Sequence, residues 1–189
     1  MKIFFDTEFT GLHKNTTLVS LGMVDENGRT FYAEFSDYDK SQVDNWLKEN
    51  VIDNLEFNNL NDIFDYEINV EDKDINKANF VVKGSKEYVR AILELWLKPY
   101  STVELVSDVC HYDMMLFVDI FGTAFDLPEK INPACHDINQ DITKFYDCSE
   151  RTAFDMNREN IAGIHIDGAK HNALHDAQVI KKIYYKVND

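Results

Sequence analysis

Only three cysteines occur in 189 residues, Cys110, Cys135 and Cys148. They are widely spaced and odd in number, with no C-x-x-C pair, so spacing supports neither a disulfide framework nor a zinc site. Reduced thiols in a cytosolic protein are the expectation. Long apolar runs are missing too. The longest, Met114 to Val118, is far short of a membrane span. Asp6 breaks the N-terminal apolar stretch too early for a signal peptide. A soluble, cytoplasmic protein with no membrane partner is therefore expected. Positive charge is also scarce: 19 Lys and Arg stand against 34 Asp and Glu, for a net charge of −15. Broad electrostatic binding of nucleic acid needs Lys and Arg on phosphates, so a long duplex footprint is excluded. Short contacts near a strand end are not, because carboxylates can meet phosphate through metal ions they hold themselves.

What is present suffices for a core. The chain is 44% hydrophobic and 13% aromatic, at a length that suits one domain over residues 1–189. Residues 1–36 read as a β meander, with strands at Ile3 to Phe9, Leu18 to Val24 and Thr30 to Phe35. The Asn27-Gly28 step between the last two is a hairpin signal. Ser41 to Asn50 reads as a short helix. Residues 51–83 are rich in Asn and Asp, with Phe57, Leu60, Ile63, Phe64 and Tyr66 as apolar anchors, and read as an insertion or lid-like segment. Ser85 can cap a helix whose apolar face is Val89, Ile92, Leu93, Trp96 and Leu97, stopped by Pro99. Thr102 to Ser107 then reads as a strand, residues 111–121 as a helix ended by Gly122, Asn139 to Tyr146 as a helix, and 172–187 as the last helix. Three early strands followed by alternating helix and strand predict a single α/β domain with a mixed sheet.

Asp6-Thr7-Glu8-Phe9 closes the first apolar strand. Strand side chains alternate, so Asp6 and Glu8 share one face while Thr7 and Phe9 share the other. Two carboxylates so placed can hold a divalent metal. Asp113 follows a strand and loop, and Asp176 lies on the final amphipathic helix, with His171 five residues before it. Spacing alone says little in so acidic a chain: Asp65-Tyr66-Glu67 repeats the D-x-E step, and His136 with Asp141 repeats the histidine step. Neither repeat has the strand or helix context. Each candidate also has an ordinary reading, as a strand-end acid or a helix first-turn residue.

In context the motifs resemble a known group. Ile3-Phe4-Phe5-Asp6-Thr7-Glu8-Phe9-Thr10-Gly11-Leu12, Leu105-Val106-Ser107 leading to Tyr112-Asp113, and His171-Asn172-Ala173-Leu174-His175-Asp176-Ala177 are similar to the three motifs of DEDD 3′–5′ exonucleases. Asn172 stands where the tyrosine subclass would have Tyr, so the resemblance is to the histidine subclass, DEDDh. Leu21-Gly22-Met23-Val24, Phe31-Tyr32-Ala33 and Phe121-Gly122 narrow it to ribonuclease AS-type exoribonucleases. The likeness covers residues 1–36, 102–122 and 170–187. Asp108-Val109 departs from the His-Asn usual in the second motif, which makes Asp108 a rival of Asp113 as a ligand.

The resemblance implies a ribonuclease H-like fold, with a mixed five-stranded sheet flanked by helices. It implies metal-dependent hydrolysis of single-stranded RNA from the 3′ end, releasing nucleoside 5′-monophosphates; single-stranded DNA is the alternative substrate, and a non-catalytic binder of nucleic-acid ends the alternative role. Asp6, Glu8, Asp113 and Asp176 would hold two ions, Mg²⁺ or Mn²⁺, and His171 would take the proton from the attacking water. Oxygen donors suit those ions, and two ions about 3.5–4 Å apart can stabilise both the entering and the leaving oxygen. A homodimer also follows from the resemblance, with no interface signature to support it. Phe9 is a candidate base platform, with Thr7 and Lys170 as further substrate contacts; Arg151 and Arg158 are candidate phosphate contacts or solvated surface. Five residues along one helix rotate by about 500°, so His171 and Asp176 converge only if His171 precedes the helix.

Overall fold

The structure, a computed structural model, describes residues 1–59, 67–70, 74, 76–163 and 170–188. Its strands are β1 (Lys2–Phe9), β2 (Leu18–Asp25), β3 (Thr30–Phe35), β4 (Glu67–Val70), β5 (Phe80–Gly84), β6 (Glu104–Ser107) and β7 (His136–Asp137). The helices are α1 (Asn45–Asn50), α2 (Lys86–Leu97), α3 (Cys110–Phe121), α4 (Ile138–Tyr146), α5 (Glu150–Asp155), α6 (Arg158–Ala162) and α7 (Ala173–Asn188). One sheet runs β4-β5-β3-β2-β1-β6-β7. The β1–β2, β2–β3 and β4–β5 pairs are antiparallel, and the β3–β5, β1–β6 and β6–β7 pairs are parallel. The sheet is mixed as expected, with seven strands among the described residues instead of five. The additional pairing comes from short edge strands, β4 of four residues and β7 of two.

The end of the 51–83 stretch belongs to the sheet. Phe80, Val82 and Gly84 are buried and alternate with half-buried Val81 and Lys83, so β5 lies inside the sheet beside β3. Phe57 is buried, whereas Leu60, Ile63, Phe64, Asp65 and Tyr66 lie outside the described residues. The expected Ser41–Asn50 helix is split. A 3-10 turn over Lys40–Gln42 ends at Val43, and α1 restarts behind Asp44, whose carboxylate caps it by accepting from the Leu47 N–H.

Period-two alternation divides the core. Ile3 and Phe5 point into a cluster with Val89, Leu93 and Trp96 of α2 and Leu116, Phe117 and Phe121 of α3. Phe4 points the other way, into a cluster with Val106, Ile142 of α4, Ile161 of α6 and Val179, Ile180 and Ile183 of α7. All three β1 side chains are fully buried, each contributing about 1.5–3 kcal/mol of burial. With both faces covered, β1 is a stiff platform whose C-terminal end carries Asp6 and Glu8.

The closest approach of helix to sheet is at Gly22, opposite Asp6 in the β1–β2 register. A Cβ there would stand 2.2 Å from the backbone of Ala173 and Leu174. Only glycine lets the start of α7 lie directly on the strand, three residues before Asp176. Gly28, at φ +95°, serves the β2–β3 turn, where the Asp25 carboxylate accepts from the Asn27 and Arg29 N–H groups at 2.8 Å.

The cysteines differ from expectation. Cys110 and Cys135 meet sulfur to sulfur across 25 residues, with Cα atoms 6.3 Å apart, within the span a disulfide requires. Linear spacing carries no record of that proximity. Cys148 is single and half-buried.

Candidate active site

A cleft of about 570 Å³ opens at the C-terminal end of β1, lined by Asp6, Glu8, Phe9, Asp108, Phe154, Arg158, Glu159, Lys170, His171 and Asp176, among others. Strand alternation delivers Asp6 and Glu8 to it side by side. The start of α3, behind β6, sets buried Asp113 beside Asp6, and α7 delivers Asp176 to the cleft. Two groups of possible metal ligands result among the described residues. Donor atoms of Glu8, His171 and Asp176 lie within 4.8 Å of one another, as do those of Asp6, Asp108 and Asp113. The structure therefore does not choose between Asp108 and Asp113; it sets both beside Asp6.

The turn before α7 explains how His171 reaches its place. Asn172 caps the helix, its side-chain oxygen accepting from the N–H groups of Leu174 and His175 at 3.1 and 3.2 Å. His171 takes a left-handed φ of 64° and donates its backbone N–H to Asp176 Oδ2 at 3.1 Å. The histidine so precedes the helix and folds back beside the carboxylate. Its Nδ1 lies 3.8 Å from Glu8 Oε1, and its ring meets Trp46 edge-on at 5.2 Å. The neighbouring His175 is instead buried in the α6–α7 packing, with Nε2 3.6 Å from Glu159.

Asp113 is held from below. Its Oδ1 accepts from the Thr7 hydroxyl at 2.6 Å, and its Oδ2 from the Ser107 hydroxyl. Thr7 is buried, with its hydroxyl given to Asp113, while the residue also lines the cleft. Phe9 stacks on Tyr112, with ring centroids 5.3 Å apart and planes at 11°, yet stays half-buried at the cleft. Lys170 is exposed at the rim of the cleft. Arg151 is solvated, 3.9 Å from Asp155 of the cleft lining. Arg158 is a built-in partner of Asp108, at 2.7 Å. His136 and Asp141, set aside in the sequence for lack of context, do pair at 2.5 Å, away from the cleft. Trp46, Arg158 and Phe154 had no motif to mark them as site residues.

Burial and mutual repulsion dominate the electrostatics. Burial, then the charges of Asp113, Asp176, Glu8 and Asp108, hold Asp6 far above the ordinary carboxylate range. Burial and neighbouring carboxylates push Glu8 up to about 8. Burial raises Asp113 to about 7, opposed by the Ser107 and Thr7 hydroxyls, and Asp176 to about 6. His171 goes the other way, lowered by burial and by Lys170, which favours the neutral imidazole. So many buried carboxylates without matching cations form a hard, all-oxygen donor set that fits Mg²⁺ or Mn²⁺.

A mixed sheet flanked by helices, with buried acids and one adjacent histidine at a strand end, is the arrangement that the resemblance to DEDDh exonucleases implies. Solved structures share the fold. The nuclease domain of 3′hExo, a DEDDh family member bound to rAMP, superposes with a TM-score of 0.63 at 12% identity, over 97% of this chain and 88% of that one. Pop2p of S. pombe, in its Mg²⁺- and Mn²⁺-bound form, gives 0.60 at 14%, over 98% and 82%. In sequence, the 3′-5′ exoribonuclease Rv2179c of Mycobacterium tuberculosis is 34% identical over 142 residues, 74% of this chain and 73% of that protein. The model of the 3′-5′ exoribonuclease Rv2179c-like domain matches residues 1–187. The chain belongs to this Rv2179c-like family of 3′–5′ exoribonuclease domains.

Proposed function

We propose that this chain removes nucleotides one at a time from the 3′ end of single-stranded RNA, releasing nucleoside 5′-monophosphates. The observation that carries the proposal is the convergence of Asp6, Glu8, Asp176 and His171 on one cleft, with buried Asp113 beside Asp6, in a chain of this family. Asp6, Glu8, Asp113 and Asp176 would hold two divalent ions, which when bound supply Lewis acidity and charge neutralisation at the phosphodiester. His171 would accept the proton of the attacking water. Its half-buried imidazole, 3.8 Å from Glu8 and with its pKa lowered by burial and by Lys170, suits a general base near neutral pH.

The rest of the cleft supports a strand-end substrate. Phe9 and the half-exposed Trp46 flank it and offer π-faces on which terminal bases can stack. Lys170 is placed to meet a phosphate from the rim. The wider surface, at net −15, offers little hold on a long duplex. No helix among the described residues is long and apolar enough to cross a membrane. The preference for RNA over DNA rests on the family, and the homodimer on resemblance to it; light scattering would test the latter.

The test is digestion of 5′-labelled single-stranded RNA and matched DNA, with Mg²⁺, Mn²⁺ or EDTA, by wild type and Asp6→Ala. The expected result is a metal-dependent ladder shortening from the 3′ end of RNA, absent in Asp6→Ala. A folded wild type that binds metal but cleaves neither polymer would leave only a binder of nucleic-acid ends.

A further inference from the structure

The loop between β6 and α3 places one carboxylate more than the four-acid scheme requires. Asp108 is largely buried, and its Oδ2 accepts from Arg158 Nε at 2.7 Å. Among the described residues, no hydrogen-bond donor reaches its Oδ1. Its carboxylate stands within 4.8 Å of donor atoms of Asp6 and Asp113. We propose that Asp108 is a fifth carboxylate of the metal centre, serving the Asp6–Asp113 side, and that Arg158 is the positioning residue that holds it there. The inference rests on the metal-binding reading of the site and adds to it.

Three observations carry it. First, the support is elaborate for a surface ion pair. Arg158 also donates to Ala153 O at 2.8 Å and to Asn139 Oδ1 at 2.7 Å. Asn139 is buried, and its Nδ2 donates to Asp108 O at 2.7 Å and to Asp137 Oδ1 at 2.8 Å. Backbone and side chain of Asp108 are thus both pinned, one from α4 and one from α6, with the carboxylate beside Asp6 and Asp113. Second, both oxygens of Asp113 already accept a hydroxyl hydrogen bond, from Thr7 and Ser107, which leaves room on that side for another donor. Third, its pairing with Arg158 leaves the Asp108 carboxylate within 4.8 Å of donor atoms of both Asp6 and Asp113. The guanidinium fork suits this duty because it fixes a carboxylate in one plane while donating sideways to neighbouring oxygens.

The competing view is that Asp108 only anchors α6 through Arg158. Titration of the metal-free protein with Mn²⁺, with free ion followed by electron paramagnetic resonance, separates the two without reference to turnover. Asp108→Asn keeps an oxygen acceptor for Arg158 and removes the charge. It is expected to weaken the weaker of the two bound Mn²⁺ by at least about tenfold, with a melting temperature near that of wild type. Arg158→Ala should do the same with a larger loss of thermal stability, and Arg158→Lys should fall between. Wild-type Mn²⁺ affinity and stoichiometry in Asp108→Asn, while Asp6→Asn loses binding, overturns the proposal and leaves the metal centre intact. Wild-type binding in Asp6→Asn would overturn the metal centre itself. Should Arg158→Ala fail to fold, Asp108→Asn decides alone.

Discussion

Replacing Gly22 by alanine tests whether helix–sheet distance sets the geometry of the site. The added Cβ would lie 2.2 Å from Ala173 C and Leu174 N and 2.3 Å from Ala173 O. Carbon atoms rest about 3.5–4.0 Å apart, so the start of α7 must retreat by more than about 1 Å. Backbone cannot rotate aside as a side-chain tip can. Overpacking of this kind costs about 1–3 kcal/mol, which for a chain of this size lowers the melting temperature by about 2–4 °C per kcal/mol. The catalytic cost should be larger. Asp176 and the His171 turn ride on the displaced segment, while Asp6 and Glu8 stay with β1. A misplacement of about 1 Å can cost about 10²-fold in rate. The assay is kcat on a short RNA at saturating Mn²⁺ beside a thermal melt, with Gly28→Ala as control. Nothing lies within 4 Å of a Cβ at Gly28, whose φ of +95° still makes the substitution strain its turn. The control should lose stability and keep its rate. Gly22→Ala losing stability with the rate untouched would refute the idea that this approach places the carboxylates.

Three other outcomes are expected. The acids of the cleft bind protons more tightly folded than unfolded, so the native state carries the extra protons and stability falls as pH rises. The metal-free melting temperature should therefore decline from pH 5 towards pH 8.5, across the folded values of about 6, 7 and 8 for Asp176, Asp113 and Glu8, and saturating Mg²⁺ should abolish most of that decline; a flat metal-free profile would contradict it. His171→Asn should lower kcat by about 10²–10⁴ with Mn²⁺ binding largely kept, and the wild-type rate should fall on its acid side at a pH below the ordinary histidine value; stopped-flow single turnovers would show either effect failing. Thr7→Val removes a hydroxyl from buried Asp113 and should cost about 1–3 kcal/mol, read by urea unfolding; an unchanged midpoint would mean that this hydrogen bond adds nothing.

The sequence was most readable where chemistry and local periodicity coincide. Asp6 and Glu8 follow a strand whose alternation is strict, and Asp176 sits on a helix with a clear apolar face, so each could be placed by counting. The histidine turn followed from helix geometry alone. Pairings across the fold left no such trace. Asp108 with Arg158 spans 50 residues, and Trp46 reaches His171 from a short helix with no motif. Phe80 to Gly84 did carry a two-residue period, but the Asn- and Asp-rich stretch before it overshadowed a five-residue strand. The capping residues Ser149 and Asn157 likewise announced α5 and α6, which are too short to show an apolar stripe.

The chain has two tryptophans, and their settings could hardly differ more. Trp96 is sealed in the core, while Trp46 is half exposed and touches the imidazole expected to gain and lose a proton. One indole thus gives a constant emission background, and the other answers to whatever enters the cleft or titrates beside it. The protein carries its own optical reporter: emission read at long wavelength should favour the solvated indole, so that protonation of His171 or arrival of an RNA end can be followed in solution without any label.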